Sequence, residues 1–150
     1  MKADKTHWVE KTPWNSLVFP EIAELLPDAK LLHIVRDSRD VIDSIRRTLG
    51  PKDMVGACIR YEQWLKRWED VQEETRRLPN YREVPYEHLT SPNVGRQRQT
   101  MTVLADFLGL PGLKQVELKP MNTGNWVNWD HKDIDCWASR LQHRVKAAGL

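Results

Sequence analysis

The run Leu31-Leu32-His33-Ile34-Val35-Arg36-Asp37-Ser38-Arg39-Asp40 joins an apolar, strand-like segment directly to a basic residue. A helix is expected to begin within two or three residues of Arg36, capped by Asp37 or Ser38. In open α/β sheets, ligands bind beyond the carboxyl ends of the strands. A helix N-terminus there offers amides and a positive dipole end, and both favour an anion. Arg36 adds a planar fork of donors, a geometry matched to phosphate. Ser44 follows eight residues later on the same helix, and its hydroxyl is a further donor. The competing reading is a salt-bridged helix start, with Arg36 and Arg39 paired to Asp37, Asp40 or Asp43. The residue types alone leave both open.

The positioning elements follow from periodicity and punctuation. His7-Trp8-Val9-Glu10 reads as a short strand, with Lys11-Thr12 as its polar exit. Pro13 then opens a helix that Thr12 is placed to cap, and Pro20 must bend or restart it before Leu26. Ala29 to Val35 has the short continuous apolar character of a buried parallel strand. Val41, Ile42, Ile45 and Leu49 mark one face of the next helix, which should end at Gly50-Pro51. Met54 to Leu78 is the longest helical stretch, apolar at three-and-four spacing and charged on its other face. Tyr81 to Pro85 is a third short strand, Asn93 to Leu108 an amphipathic helix stopped by Gly109, and Leu110 to Trp129 irregular. Ile134 to Ala148 returns to helix. Strands alternating with helices predict an α/β fold with a small parallel sheet.

Composition narrows the function classes. A chain of 150 residues suits one domain, residues 1–150. With 40% hydrophobic and 29% charged residues, it has the material for a core and is no disordered tail. A net charge of +2 argues against a dedicated nucleic-acid binder. No apolar run is long enough to span a membrane, and no leader-like segment follows Met1, so a cytoplasmic location is expected. Cys58 and Cys136 are too few for a disulfide scaffold. Their separation in sequence suggests no local site, so buried free thiols are expected. The residues Trp129 to Cys136 include metal-ligating types, but their spacing fits neither a zinc nor a calcium pattern.

Several separated segments resemble one enzyme family. They are Trp8-Val9-Glu10-Lys11-Thr12-Pro13 with Asn15, Leu26-Pro27-Asp28-Ala29-Lys30, and the His33 to Val41 run with Ser44. Pro85-Tyr86-Glu87-His88-Leu89, Ala105 to Pro111 and Gly124-Asn125-Trp126 follow in the same order. Together they look like a sulfotransferase that uses 3′-phosphoadenosine 5′-phosphosulfate (PAPS). The similarity extends from about Trp8 to about Trp126. It implies a P-loop NTPase-like parallel sheet flanked by helices. It also implies that Arg36 and Ser44 hold the 3′-phosphate of the nucleotide and that Tyr86 lies near the adenine. Lys11 would lie near the transferring sulfuryl group, where its ammonium neutralises developing charge.

Two departures from the family pattern shape the expectation. The family's Gly-rich loop for the 5′-phosphosulfate, which precedes the Lys-Thr-Pro segment, has no counterpart here. The first strand, loop and helix therefore look missing, and the chain corresponds to the C-terminal part of a sulfotransferase. The family's Arg-Lys-Gly run before the Gly-x-Trp element is here Lys119-Pro120-Met121, which leaves Lys119 as the one basic candidate. Relatives with a His base keep it two residues after the Lys, where this chain has Pro13. The resemblance therefore assigns no base; Glu10 and His7 are the nearby residues of the right type, with Glu10 beside Lys11 the catalytic candidate.

The leading expectation is a sulfotransferase fragment that transfers a sulfuryl group from PAPS to a hydroxyl or amine on a small-molecule, glycan or peptide acceptor, and that is inactive alone. The alternative is a non-catalytic remnant. It would bind the desulfated nucleotide, 3′-phosphoadenosine 5′-phosphate (PAP), weakly, or self-associate into a homo-oligomer through an exposed sheet edge. A nucleotide kinase is the weakest reading, since no Gly-x-x-x-x-Gly-Lys loop is present.

Overall fold

The computed structural model describes residues 6–48, 52–120 and 124–149, with the side chain of Asn125 left aside. Two strands form the sheet: β1 (Leu31–Val35) and β2 (Tyr81–Pro85). They run parallel, in register from Leu31 opposite Tyr81 to Val35 opposite Pro85. Parallel neighbours need a long crossover. Here it contains α2 (Ser38–Thr48) and α3 (Met54–Arg77).

Alternation divides the sheet into two faces. Leu31 and His33 are buried on one, where the His33 ring lies against Trp68 of α3 and beside Tyr81. Leu32 and Val84 face the other way and pack with Leu89, Met101 and Leu104. The larger core lies on the α3 side, where Cys58, Tyr61, Leu65 and Trp68 recur at three-and-four spacing and are all buried. Asp53 caps α3 by accepting the Gly56 amide at 2.7 Å. On the second face, α4 (Tyr86–Leu89) leads into α5 (Val94–Leu108). Asn93 caps α5, and Gly109 closes it at φ +69°, a backbone state that favours glycine. The buried Gln97 amide donates to the Leu89 and Leu118 carbonyls at 2.8 and 2.6 Å, pinning the chain after α5 back onto α4.

The N-terminal segment departs from expectation. Residues 6–12 are extended and exposed, and His7 to Glu10 form no strand. Trp8 and Val9 are 76% and 81% exposed. A β-prone run becomes a strand only when a partner takes up its backbone groups, and among the described residues none does. Thr12 also fails as a side-chain cap: its hydroxyl donates to the Glu10 carboxylate, not to the helix start. The following stretch is broken, as Pro20 requires. A 3₁₀ turn covers Pro13–Val18, and α1 (Phe19–Leu25) restarts with Pro20 in its first turn.

Beyond α5 come two short 3₁₀ turns, Pro111–Gln115 and Asn125–Asn128. Then α6 (His131–Trp137) passes through a π-helical segment (Ala138–Gln142) into α7 (His143–Ala147). The expected stop of α2 at Gly50-Pro51 lies outside the described residues, as does Met121. Among the described residues, no helix is long and apolar enough to cross a membrane.

Candidate functional site

Arg36 leaves the carboxyl end of β1, and Tyr86 follows the carboxyl end of β2. Because the strands are adjacent and parallel, the two residues emerge side by side. The Arg36 guanidinium carbon sits 4.6 Å from the Tyr86 ring centroid. A cation over an aromatic face is attractive by roughly 0.5–2 kcal/mol, depending on desolvation. Fifty residues apart in sequence, the two side chains the family resemblance singled out form one corner.

The start of α2 is densely paired. Asp37 caps it, accepting from the Arg39 amide at 2.9 Å. The same carboxylate takes the Arg39 side chain at 2.9 Å (Nε) and 2.5 Å (Nη2). Burial pushes the Asp37 carboxyl upward, but the hydrogen bonds and charge of Arg39 outweigh it and hold the group below its ordinary range. Glu87 of α4 accepts the Asp37 amide at 2.9 Å. Two backbone amides of this helix start, those of Asp37 and Arg39, are therefore engaged by carboxylates of the chain itself, and the cation beside Tyr86 is Arg36. Its Nη2 lies 3.4 Å from Asp40, one turn along. The salt-bridged reading of the helix start is thus present, with Arg36 paired to Asp40 and Arg39 to Asp37. Ser44 is one further turn along this stripe, partly buried.

The C-terminal segment closes over α2. Asp40 is 4% exposed and accepts the Gly124 amide at 2.8 Å. The Trp126 ring lies 3.6 Å from the Arg39 guanidinium carbon, and Trp137 lies 5.6 Å from it on α6. Trp137 Nε1 donates to the buried Ser38 hydroxyl at 3.1 Å. Trp129 Nε1 donates to Asp43 at 3.4 Å, and Arg46 reaches Asp133 at 3.3 Å. Asp40, Arg39 and Ser38 are thus residues of the corner that the sequence offered only as a helix cap and ion-pair partners. The Asp40 position four residues after Arg36 was a signal, but only as one of several ion-pair options.

The other sequence candidates stand apart. Lys11 and Glu10 are exposed on the extended segment, with no contact to the Arg36 corner among the described residues. Lys119 is exposed after α5. A surface depression of about 520 Å³ is lined by Pro20, Glu24, Pro27, Glu74 and Asn80 among others. It lies at the amino ends of the strands, the wrong end for a ligand in an open parallel sheet. Among the described residues, no group of three or more His, Cys, Asp or Glu is placed to hold a metal ion. Both cysteines are free thiols, as expected, although Cys136 is only partly buried. Cys58 is fully buried on α3, Cys136 is half-buried on α6, and the two are neighbours.

A parallel strand pair joined by a helical crossover, with a basic, aromatic corner at its carboxyl ends, defines an α/β protein. The sulfotransferase family model matches residues 1–115 of the 150-residue chain. The chain belongs to the sulfotransferase family. Lys11, Arg36, Ser44 and Tyr86 fall within the matched span; Lys119 and the Gly124-Asn125-Trp126 element lie beyond it. No curated protein and no solved structure matches the chain.

Proposed function

We propose that the Arg36–Tyr86 corner binds the 3′-phosphoadenosine part of PAPS, and that the chain serves sulfuryl transfer to a hydroxyl or amine acceptor. The observation that carries this reading is the 4.6 Å approach of the Arg36 guanidinium to the Tyr86 ring at the carboxyl ends of paired parallel strands. The residue types fit the group. Arg36 supplies hydrogen-bond donors and charge for a phosphate, Ser44 a hydroxyl, and Tyr86 an aromatic face for a flat base. Asp40 sets the geometry, holding Arg36 at 3.4 Å. A phosphate there shares the guanidinium with Asp40.

PAPS supplies an activated sulfuryl group, and the chain's part is to bind, orient and neutralise. Lys11 is assigned the charge beside the sulfuryl oxygens on family resemblance, and Glu10, one residue before it, is the candidate for the acceptor's proton by position alone. Lys119 remains a candidate second cation for the phosphate. The sheet is proposed to be part of a P-loop-like layer, on the support of its parallel pairing and helical crossover.

The test is calorimetric titration of the chain with PAP, using AMP as the comparison. PAP binding at least tenfold tighter than AMP, with that advantage lost in Arg36→Ala, is the expected result. Equal affinities would remove the 3′-phosphate assignment.

A second reading rests on a different observation. Ile34, in the middle of the two-stranded sheet, is 51% exposed, and both sheet edges are unpaired among the described residues. This supports self-association of two copies through a sheet edge. Light scattering over a hundredfold concentration range tests it; a constant monomer mass excludes it.

A further inference from the structure

We propose that Cys58 and Cys136 form a reversible disulfide that locks α6, and the C-terminal segment preceding it, onto the helical core. The two residues are 78 positions apart in sequence, yet they meet where α6 packs on α3. Cys58 belongs to the main core cluster and Cys136 packs against that cluster. Both are free in the reduced protein.

The surroundings divide the labour between them. Cys58 is fully buried. Burial, then the charge and hydrogen bond of Cys136, push its thiol up to about 12. Arg140 acts in the opposite direction, favouring the thiolate, while Asp133 adds to the rise. Cys136 is half-buried and so open to a small oxidant. An oxidant reaches the more exposed sulfur first, which makes Cys136 the first to react and the fully buried Cys58 the resolving partner.

With a hydroperoxide as oxidant, the steps balance. The Cys136 sulfur, as thiolate, attacks one peroxide oxygen; an S–O bond forms, the O–O bond breaks, and water leaves after proton transfer. Cys58, on losing its proton, attacks that sulfur; the S–S bond forms, the S–O bond breaks, and a second water leaves. The two thiols together lose two electrons, and hydrogen peroxide gains them.

The consequence lies at the next residue. Trp137 holds the Ser38 hydroxyl at 3.1 Å and stands 5.6 Å from Arg39, so the Cys136-Trp137 pair touches both α3 and the start of α2. A bond at Cys136 therefore fastens the segment that closes the Arg36 corner. The inference does not depend on the nucleotide reading, because a disulfide is read by mass.

The experiment treats the whole chain with a slight excess of hydrogen peroxide, alkylates remaining thiols, and maps peptides without reduction. The expected product is a monomer with an intrachain 58–136 bridge, lighter by two hydrogens. Its thermal midpoint should rise by roughly 5 °C, reversed by a phosphine reductant. Cys136→Ser, a change at the half-buried position, should lose both the bridge and the rise. Alkylation of both thiols after peroxide overturns the proposal. So does a bridge between chains, or over-oxidation of Cys136 with Cys58 left as thiol. A thermal response retained in Cys136→Ser also overturns it.

Discussion

The carboxylate of Asp40 accepts the backbone amide of Gly124 at 2.8 Å across 84 residues of sequence, while its other oxygen lies 3.4 Å from Arg36. One buried side chain thus ties the basic residue at the end of β1 to the turn that starts the C-terminal segment. Gly124 sits at φ +70°, the left-handed state that presents its amide to α2 without the strain a side chain would bring. Through this bond the closing segment, the helix start and the strand end become one mechanical unit.

Asp40→Ala should therefore destabilise the fold by about 2–4 kcal/mol, because it leaves a partly buried guanidinium and a backbone amide without their shared acceptor. Asp40→Asn keeps an oxygen for Gly124 and loses only the charge, so its cost should be about 1 kcal/mol. Urea unfolding followed by tryptophan fluorescence measures both. Equal midpoints for the two variants would show that the Gly124 bond contributes nothing.

At the nucleotide corner, Arg36→Ala should weaken PAP binding by roughly 10- to 100-fold, the scale of a charge-assisted contact. Tyr86→Ala should cost about tenfold through the lost aromatic face. Ser44→Ala should cost a few-fold. AMP affinity should respond to Tyr86→Ala and hardly to Arg36→Ala. Titration calorimetry of the three variants with both nucleotides checks this pattern, and a uniform loss for both ligands in all three would contradict it.

How much of this was legible beforehand differs by residue. The α3 helix was plain, because Cys58, Tyr61, Leu65 and Trp68 repeat at helical spacing and their burial needs no distant partner. The Gly109 stop was equally local. His7 to Glu10 misled, because strand formation depends on a neighbour that no local pattern reports. Arg36 could be read as an anion site from the strand–helix junction, but its approach to Tyr86 came only through family resemblance, since contacts 50 residues apart leave no spacing signal. At that junction Glu87 and Asp37 take up the amides of Asp37 and Arg39, and the Glu87 bond, 50 residues away in sequence, left no local signal. The meeting of Cys58 with Cys136 was likewise invisible, for sequence separation says nothing about packing of α6 on α3.

The Arg39–Trp126 stack predicts a measurable coupling. Its guanidinium carbon stands 3.6 Å from the ring centroid, and Asp37 holds the far side of the same group in a fork. Trp126→Ala should cost about 1–2 kcal/mol. In a double-mutant cycle with Arg39→Ala, the coupling should be about 0.5–1 kcal/mol. Strict additivity would mean that Trp126 only fills space.

Acid stability should depend on Glu83. Its carboxyl is held below the ordinary value of 4.5, first by the hydrogen bond from His33, against an opposing push from burial, and then by Tyr81 and Arg76. The partners are in place: Tyr81 Oη donates to Glu83 at 3.1 Å, His33 Nδ1 lies 3.5 Å away, and Arg76 also lies at 3.5 Å. A carboxyl with a depressed folded pKa contributes stability that is fully present above its unfolded value and is lost as pH falls through the folded one. The chain should thus keep its Glu83 contribution at neutral pH and lose it below about pH 4.5. Asp37, also depressed, loses its share over a lower range, beginning below its ordinary value of 3.8. Glu83→Gln should lower stability at pH 7 and flatten the decline between about pH 5 and 3 relative to the parent chain. Urea midpoints across that range decide the matter: parallel curves for parent and variant would mean that the acid limb belongs to other carboxylates.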